Sequence, residues 1–273
     1  MSTLKKGSLG PEVVKLQKKI NEAGYGPISE DGAFGVGTEK AVKRFQQSAG
    51  LTSDGIAGKN TIAALDKHQS VELPLSETKD PPDLLKIMEA LEYDVQTNGD
   101  LNIVGVRSKN IESNKFDDEI HVMWLQNHLW QWRRYRCTTD PGLFWLQNPM
   151  KTVGTSILVP GQYPAYKLDL HRGKYLALCQ RAAKVTVYRD RNRDSTLDWG
   201  SADIATGEGW FGINIHHAGN DSTRVDKWSA GCQVLARMAD WNEFIAICQA
   251  HDSGVFVYTL LTQEQIDFRR STV

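Results

Sequence analysis

What the chain lacks narrows its chemistry first. It has no apolar run near eighteen residues, so no segment is expected to span a membrane. Lys and Arg number 32 against 33 Asp and Glu, a formal net charge of −1, which removes bulk attraction to nucleic acid or to an anionic surface. Any targeting must therefore be local. Four cysteines at irregular spacing make no C-x-x-C pair and no disulfide framework, leaving a thiol free for chemistry. Seven histidines form neither H-E-x-x-H nor H-x-x-E-H, which counts against a zinc-dependent peptidase, and the acidic residues form no opposed pair of the kind a glycosidase needs. The start, MSTLKKGSLG, has no apolar leader, so the expectation is a cytoplasmic product that reaches its target by another route.

What is present is concentrated in the window Gly212 to Val234, GINIHHAGNDSTRVDKWSAGCQV. A run with strand alternation ends in His216 and His217, and a short loop then delivers Ser229-Ala-Gly-Cys232. A thiol attacks carbonyls as thiolate, and an imidazole in reach takes its proton and later protonates the leaving amine. Gly231 lets backbone approach the reacting carbonyl, so the Gly231 and Cys232 amides are expected to receive its oxyanion. A period of two puts His217 on the face of Ile213 and Ile215, and His216 with Asn214 on the opposite, cleft-facing side. His216 is therefore the expected base and His217 the alternative. Asp226 and Asn214 are side-chain candidates for holding its tautomer, and Ser229 is expected to orient the turn. Trp228 is a candidate wall of a substrate cleft. In the polar turn His171-Arg172-Gly173-Lys174-Tyr175, Arg172 or Lys174 is a candidate for a substrate carboxylate. Cys137, Cys179 and Cys248 lie in apolar contexts that mark core filling.

A histidine followed after a short interval by S-x-G-C, in that order, resembles the L,D-transpeptidase (YkuD-like) catalytic domain. His216 stands sixteen positions before Cys232, as in that family. The resemblance implies a cysteine nucleophile, a histidine oriented largely by a backbone carbonyl, and a mixed sheet. The chain departs from the family after the cysteine, where Gln233 and Val234 stand and Arg237 is the first basic residue.

The other end of the chain repeats itself at a spacing of twenty-three: Asp31-Gly32-x-Phe34-Gly35-x-x-Thr38-x-x-Ala41-Val42 against Asp54-Gly55-x-Ala57-Gly58-x-x-Thr61-x-x-Ala64-Leu65. Each copy reads as a Gly-rich turn feeding a helix, with Thr38 and Thr61 placed as N-caps. Val13, Leu16 and Ile20 make a further helical stripe after Gly10-Pro11. These motifs resemble the peptidoglycan-binding domain type 1 family. The resemblance implies a shallow groove for cell-wall glycan and stem peptide, on a surface shaped by Asp31, Gly32, Asp54 and Gly55.

Residues 67–83 lose hydrophobic periodicity and read as a linker between a helical domain over 1–66 and a catalytic domain over 84–273. In the latter, Leu84 to Leu91 predicts a helix behind Pro81-Pro82, the runs LNIVGVR, EIHVMWL, SILVPG, KVTVYRD, WFGINIHH and VFVYTLL predict strands, and 238–250 returns to helix. The expected fold class is α+β: a small three-helix bundle followed by a mainly β domain with a few helices. Asp190, Asn192, Asp194 and Asp198 have the oxygen-ligand spacing of half a calcium loop, against the alternative of a solvated turn, and no other cofactor is expected. The reading as a whole is a monomeric, peptidoglycan-directed cysteine enzyme of endolysin-like layout, released through a holin-type pore or injected. Alternatives are a transpeptidase proper, an antibacterial effector, a zinc peptidase and a non-catalytic wall-binding protein.

Overall fold

A computed structural model describes residues 3–23, 25, 28–68, 76–199 and 206–272. The chain divides into two compact units, Met1–Pro74 and Leu75–Val273. Residues 69–75 of the expected linker lie outside the described residues, whereas 76–78 already belong to a strand of the second unit.

The first unit is a helical bundle of α1 (Pro11–Glu22), α2 (Val36–Ser48) and α3 (Lys59–His68). The stripe Val13, Leu16 and Ile20 packs against Ala41, Val42, Phe45 and Leu65 in one buried cluster. The sequence repeat becomes a repeated hydrogen-bond device. Gln17, 1% exposed, donates through Nε2 to Asp31 Oδ1 (2.9 Å), Ala33 O (3.1 Å) and Thr38 Oγ1 (3.3 Å), while its Oε1 accepts the Gly32 N–H (2.9 Å). Gln46 does the same with Asp54 Oδ1, Ile56 O, Thr61 Oγ1 and the Gly55 N–H. The N-cap reading of the two threonines is corrected here. The cap of α2 is Gly35, Thr38 lies inside the first turn, and its hydroxyl accepts from a glutamine instead of capping an amide. Asp31, Gly32, Asp54 and Gly55 are bound up in closing the two turns.

The second unit opens with β1 (Ser76–Thr78), α4 (Asp83–Ala90), β2 (Asn102–Arg107), β3 (Asp118–Gln126), β4 (Leu129–Thr138) and α5 (Leu143–Gln147). It continues with β5 (Thr155–Leu158), β6 (Gly161–His171), β7 (Tyr175–Gln180), β8 (Val185–Asp190), β9 (Thr206–Gly209), β10 (Ile215–His217) and β11 (Gln233–Leu235). It ends with α6 (Met238–Ala250), β12 (Phe256–Thr262) and α7 (Gln263–Thr272). The whole chain is α+β, helical first and mainly β afterwards. Pairing runs β4-β11-β10-β7-β6-β12-β2-β3, and the long β3–β4 hairpin closes the ladder on itself, with β1 added to β4. Closure removes the free edges that an open sheet would expose. A smaller sheet has the order β5-β8-β9.

The main core gathers inward residues of this ring, among them Ile120, Tyr135, Tyr166, Leu178, Ile215, Leu235 and Tyr258, against Trp241, Phe244 and Cys248 of α6. A second cluster packs α4 and α7 on Val104, Val106, Met123 and Leu261, so β2 is buried on both faces. Gly105 is required there: a Cβ at that position would stand 1.9 Å from the Tyr258 hydroxyl. Strands β4 and β6 were not expected from the sequence. Arg133, Arg134 and Arg136 interrupt the first, and Pro164 and Lys167 the second, so neither has a clean apolar alternation.

Removing the Gln17 amide leaves the Gly32 N–H and the Thr38 hydroxyl without their partner, at a cost of about 1–3 kcal/mol. Gln17→Leu in the intact chain should therefore speed amide hydrogen exchange at Gly32 and leave β3 and β4 protection unchanged. Equal protection at Gly32 would remove the glutamine from the account of the bundle.

Candidate active site

The two elements that carry the histidine and the cysteine are neighbours. Strands β10 and β11 pair in parallel, with Ile215 opposite Gln233 and His216 opposite Val234. The Gln233 N–H donates to the Asn214 carbonyl at 2.9 Å, which extends the ladder one step back and sets Cys232 opposite Asn214. Alternation then places Ile213, Ile215 and Leu235 in the core, and Asn214, His216, Cys232 and Val234 on the other face. The thiol and the His216 imidazole are diagonal neighbours on one surface.

The loop between the strands is closed by its own polar atoms. Buried Ser229 donates its hydroxyl to the Cys232 carbonyl at 2.7 Å and accepts the Gly231 N–H at 3.1 Å, while its carbonyl takes the Gly142 N–H at 2.9 Å. Gly231 has φ +117°, and a Cβ there would lie 2.3 Å from the Ser156 carbonyl oxygen, so only glycine fits. Because Ser229 holds the Gly231 amide, the expectation that this N–H receives an oxyanion is revised. The Cys232 N–H makes no backbone hydrogen bond among the described residues. Gln233, where the sequence departs from the family pattern, is fully buried and accepts the Tyr258 hydroxyl at 2.9 Å.

Cys232 is half-buried, whereas Cys137, Cys179 and Cys248 are buried. Its Sγ lies 3.4 Å from the Gly212 carbonyl, to which it donates, and 3.4 Å from the Asn214 N–H, which it accepts. Burial pushes the thiol above its ordinary pKa, opposed by the Asn214 N–H and the positive charge of Arg172. Burial thus favours the protonated thiol over the thiolate.

His216 is 3% exposed. Its Nδ1 lies 2.9 Å from the His217 carbonyl, and since a carbonyl only accepts, Nδ1 carries the proton. Nε2 is thereby left with its lone pair. Burial, then the neighbouring His171, push His216 down to about 3, so it is neutral at ordinary pH. The tautomer is set by a backbone carbonyl and by neither side chain considered from sequence. Asn214 turns to His171, and Asp226 accepts from Asn114 at 2.8 Å. His217 is half-buried between Tyr175 and Trp241, with ring centroids 4.3 and 5.5 Å away, and donates to the Ala218 carbonyl.

Arg172 is exposed at the β6–β7 turn with φ +51°. Its positive charge acts on the Cys232 thiol, opposing the upward shift that burial causes. Trp228 is 45% exposed on the loop. The residue missed in the sequence is His171, read there only as part of a polar turn. It ends β6, is 6% exposed, and stands 4.3 Å from His216 between ring centroids. Only the long β6–β7 hairpin, itself not expected, brings it there.

Below the loop, Arg107 is fully buried. It donates to Thr139 Oγ1, Thr139 O and Leu158 O at 2.9 to 3.0 Å. Asp140 Oδ1 lies 2.9 Å from the Arg107 Nε, which aims its N–H at Thr139, so this contact is an ion pair without an aligned hydrogen bond. Burial raises the Asp118 and Asp140 carboxyls, with Arg107 opposing both. In the candidate calcium loop, Asn192 donates to Asp194 (3.0 Å) and Asp198 (2.7 Å), and the Asp198 N–H donates to Asp190. Among the described residues no three His, Cys, Asp or Glu side chains are grouped to hold a metal ion. A cavity of about 510 Å³ lined by Glu119, His121, Trp132, Arg134 and Arg270 contains neither Cys232 nor His216.

Comparison with known proteins places the first unit. Residues 10–65 match the model of a family described as a putative peptidoglycan binding domain. The chain is 38% identical over 64 residues to a spore cortex-lytic enzyme of Bacillus cereus, covering 23% of this chain and 25% of that one. It is 46% identical over 64 residues to a zinc D-Ala-D-Ala carboxypeptidase of Streptomyces albus G, covering 22% and 24%. It thus spans about a quarter of the length of these curated relatives. An L,D-transpeptidase structure from Xylanimonas cellulosilytica aligns over 96% of this chain and 98% of its own at 18% identity and a TM-score of 0.27, a level that transfers no activity.

Two imidazoles buried in neutral form tie stability to pH. An unfolded histidine has a pKa of about 6.5, so between that value and the folded values the unfolded chain binds more protons, and stability falls as pH drops through the window. The folded values are about 3 for His216 and about 4 for His171. Asp190, raised to about 6, contributes with the opposite sign in every variant alike. His216→Gln should therefore flatten the dependence of unfolding free energy on pH between about 6.5 and 4.5 by close to one proton. An unaltered slope in denaturant titrations would mean that this imidazole is not held neutral by the fold.

Proposed function

We propose that the second unit is a cysteine acyl-transfer enzyme acting on peptide amide bonds of peptidoglycan, to which the first unit docks. The observation that carries the reading is the His216 tautomer. A backbone carbonyl holds its Nδ1–H, and its Nε2 lone pair remains available on the face that Cys232 shares. A neutral imidazole with its lone pair beside a thiol is the base that a protonated resting cysteine needs.

In this reading the Sγ–H proton passes to His216 Nε2 as the sulfur attacks the amide carbonyl. The oxyanion gathers against the Cys232 N–H. The C–N bond then breaks, and the His216 imidazolium returns its proton to the departing amine nitrogen, leaving an acyl-enzyme. Water as acceptor gives hydrolysis and an amine gives transpeptidation. The endolysin-like pairing of one binding domain with one catalytic domain favours hydrolysis. The Arg172 charge lowers the cost of a thiolate, and in this reading the same guanidinium meets a substrate carboxylate. The first unit's role is supported by its match to a peptidoglycan-binding family model.

Purified sacculi digested with the wild type should release muropeptides with new peptide termini detectable by mass spectrometry. Cys232→Ala should release none, a loss of at least about 10³-fold, and should still sediment with the sacculi. Digestion by Cys232→Ala at the wild-type rate would end the cysteine mechanism.

A further inference from the structure

The reading above uses one histidine of a stacked pair and leaves the other idle. His171 and His216 lie with ring centroids 4.3 Å apart and planes inclined by 30°. Their proton positions follow from the closest partner of each; the Tyr175 hydroxyl, 3.4 Å from His216 Nδ1, can give or take a proton, but the nearer His217 carbonyl only accepts. The Gln180 backbone N–H donates to Asn214 Oδ1 at 2.9 Å, which identifies that atom as the oxygen of the amide. The Asn214 nitrogen therefore faces His171 Nδ1, at 3.1 Å. An amide NH₂ only donates, so His171 Nδ1 is the unprotonated nitrogen and the ring carries its proton on Nε2. His216 has the opposite tautomer, with Nδ1–H on the His217 carbonyl.

Both Nε2 atoms are free of protein partners among the described residues, and neither is among the buried polar atoms without one. They therefore meet solvent. One presents a lone pair and the other an N–H. The site is also short of donors, since the Gly231 amide is held by Ser229 and leaves the Cys232 N–H alone for a developing oxyanion. An acyl-transfer site that lacks one oxyanion donor loses about 10²–10³ in rate.

We infer that His171 is a catalytic residue of this site, presenting its Nε2–H as a fixed, neutral hydrogen-bond donor to the carbonyl oxygen of the acyl group that Cys232 attacks. The inference rests on the acyl-transfer reading. No proton leaves His171, because a neutral imidazole that gave up Nε2–H would become an imidazolate. As the sulfur–carbon bond forms, the carbonyl electron pair moves to oxygen. The oxyanion is held by the Cys232 and His171 N–H groups, and collapses as the C–N bond breaks. His216 makes both proton transfers and His171 ends as it began. A neutral imidazole is the right species for this, and burial, then Arg172, hold His171 down to about 4, far from protonation at neutral pH.

The test combines a direct reading of tautomers with a substitution series. Long-range ¹H–¹⁵N spectra of the wild type at pH 7 should show His171 as the Nε2–H form and His216 as the Nδ1–H form; the Nδ1–H form at His171 would overturn the inference regardless of any variant. Acyl-enzyme formation is then followed by intact mass after mixing with soluble muropeptides prepared from sacculi. His171→Leu should slow it by about 10²-fold, the usual loss for one oxyanion donor. His171→Gln, whose amide nitrogen falls near the Nε2 position, should recover most of the rate, while His171→Asn should not. Equal rates for Leu and Gln would reduce His171 to packing and overturn the donor role. A wild type that never forms an acyl-enzyme overturns the cysteine reading and this inference with it. A wild type that acylates beside an equally fast His171→Leu overturns this inference alone.

Discussion

The parallel pairing of β10 with β11 is the constraint on which the site depends. Adjacent parallel strands cannot be joined by a tight turn, and the chain must travel back along the full strand before it can pair again. Here the return is residues 218–232, without a helix, and it delivers Cys232 to the start of β11 while His216 already stands in the middle of β10. A polar loop that long holds a reactive geometry only if its backbone is tied down. The ties are the Gly142 N–H to the Ser229 carbonyl, the Trp145 indole to the Lys227 carbonyl, and the Asn114 side chain to Asp226. Arg107 fastens the segment just before Gly142 by bonding Thr139 and pairing with Asp140. Two of these ties come from the start of α5 and one from the segment between β2 and β3, so the loop is fastened to two separate stretches of the unit.

Burial shapes the electrostatics that the loop frames. Taking two imidazoles out of water keeps both neutral, with His171 further opposing charge on His216 and Arg172 opposing it on His171. Their roles are then separated by their hydrogen-bond partners, a carbonyl for one and an amide nitrogen for the other. The same desolvation keeps Cys232 a thiol at rest, with Arg172 as the nearby compensating charge. Ser229 and Gln233 hold the loop in the required shape from below, one through the Cys232 carbonyl and the other through the Tyr258 hydroxyl.

Local pattern made much of this readable. The three helices of the first unit, the two glycine turns and the opposite faces of His216 and His217 follow from spacing alone, because helix and strand periodicity assign faces without reference to distant residues. The strands β2, β3, β5, β8 and β12 were found the same way. Strands β4 and β6 escaped because arginines, a lysine and a proline break their alternation, and in a closed ring the outward residues are free to be polar. With β6 went His171, whose position depends on the register of a hairpin that the sequence does not announce. The roles of Gln17 and Gln46 were also hidden, since a glutamine in a helix reads as an exposed residue until the turn that it completes is folded against it.

The sequence by itself determined the helical repeat, the α+β class, the lone half-buried thiol and the order of histidine before cysteine, all of which are properties of neighbours along the chain. Tertiary structure alone decided which carbonyl holds His216, that Ser229 occupies the Gly231 amide, that Asn214 faces His171, and that Arg172 lends its charge to Cys232. The Asn214–His171 and Arg172–Cys232 pairs join residues far apart in the chain and come within reach only when β6 and β7 join the ladder, whereas His217 and Ser229 are near neighbours of the groups they bind and the folded strand and loop decide the pairing.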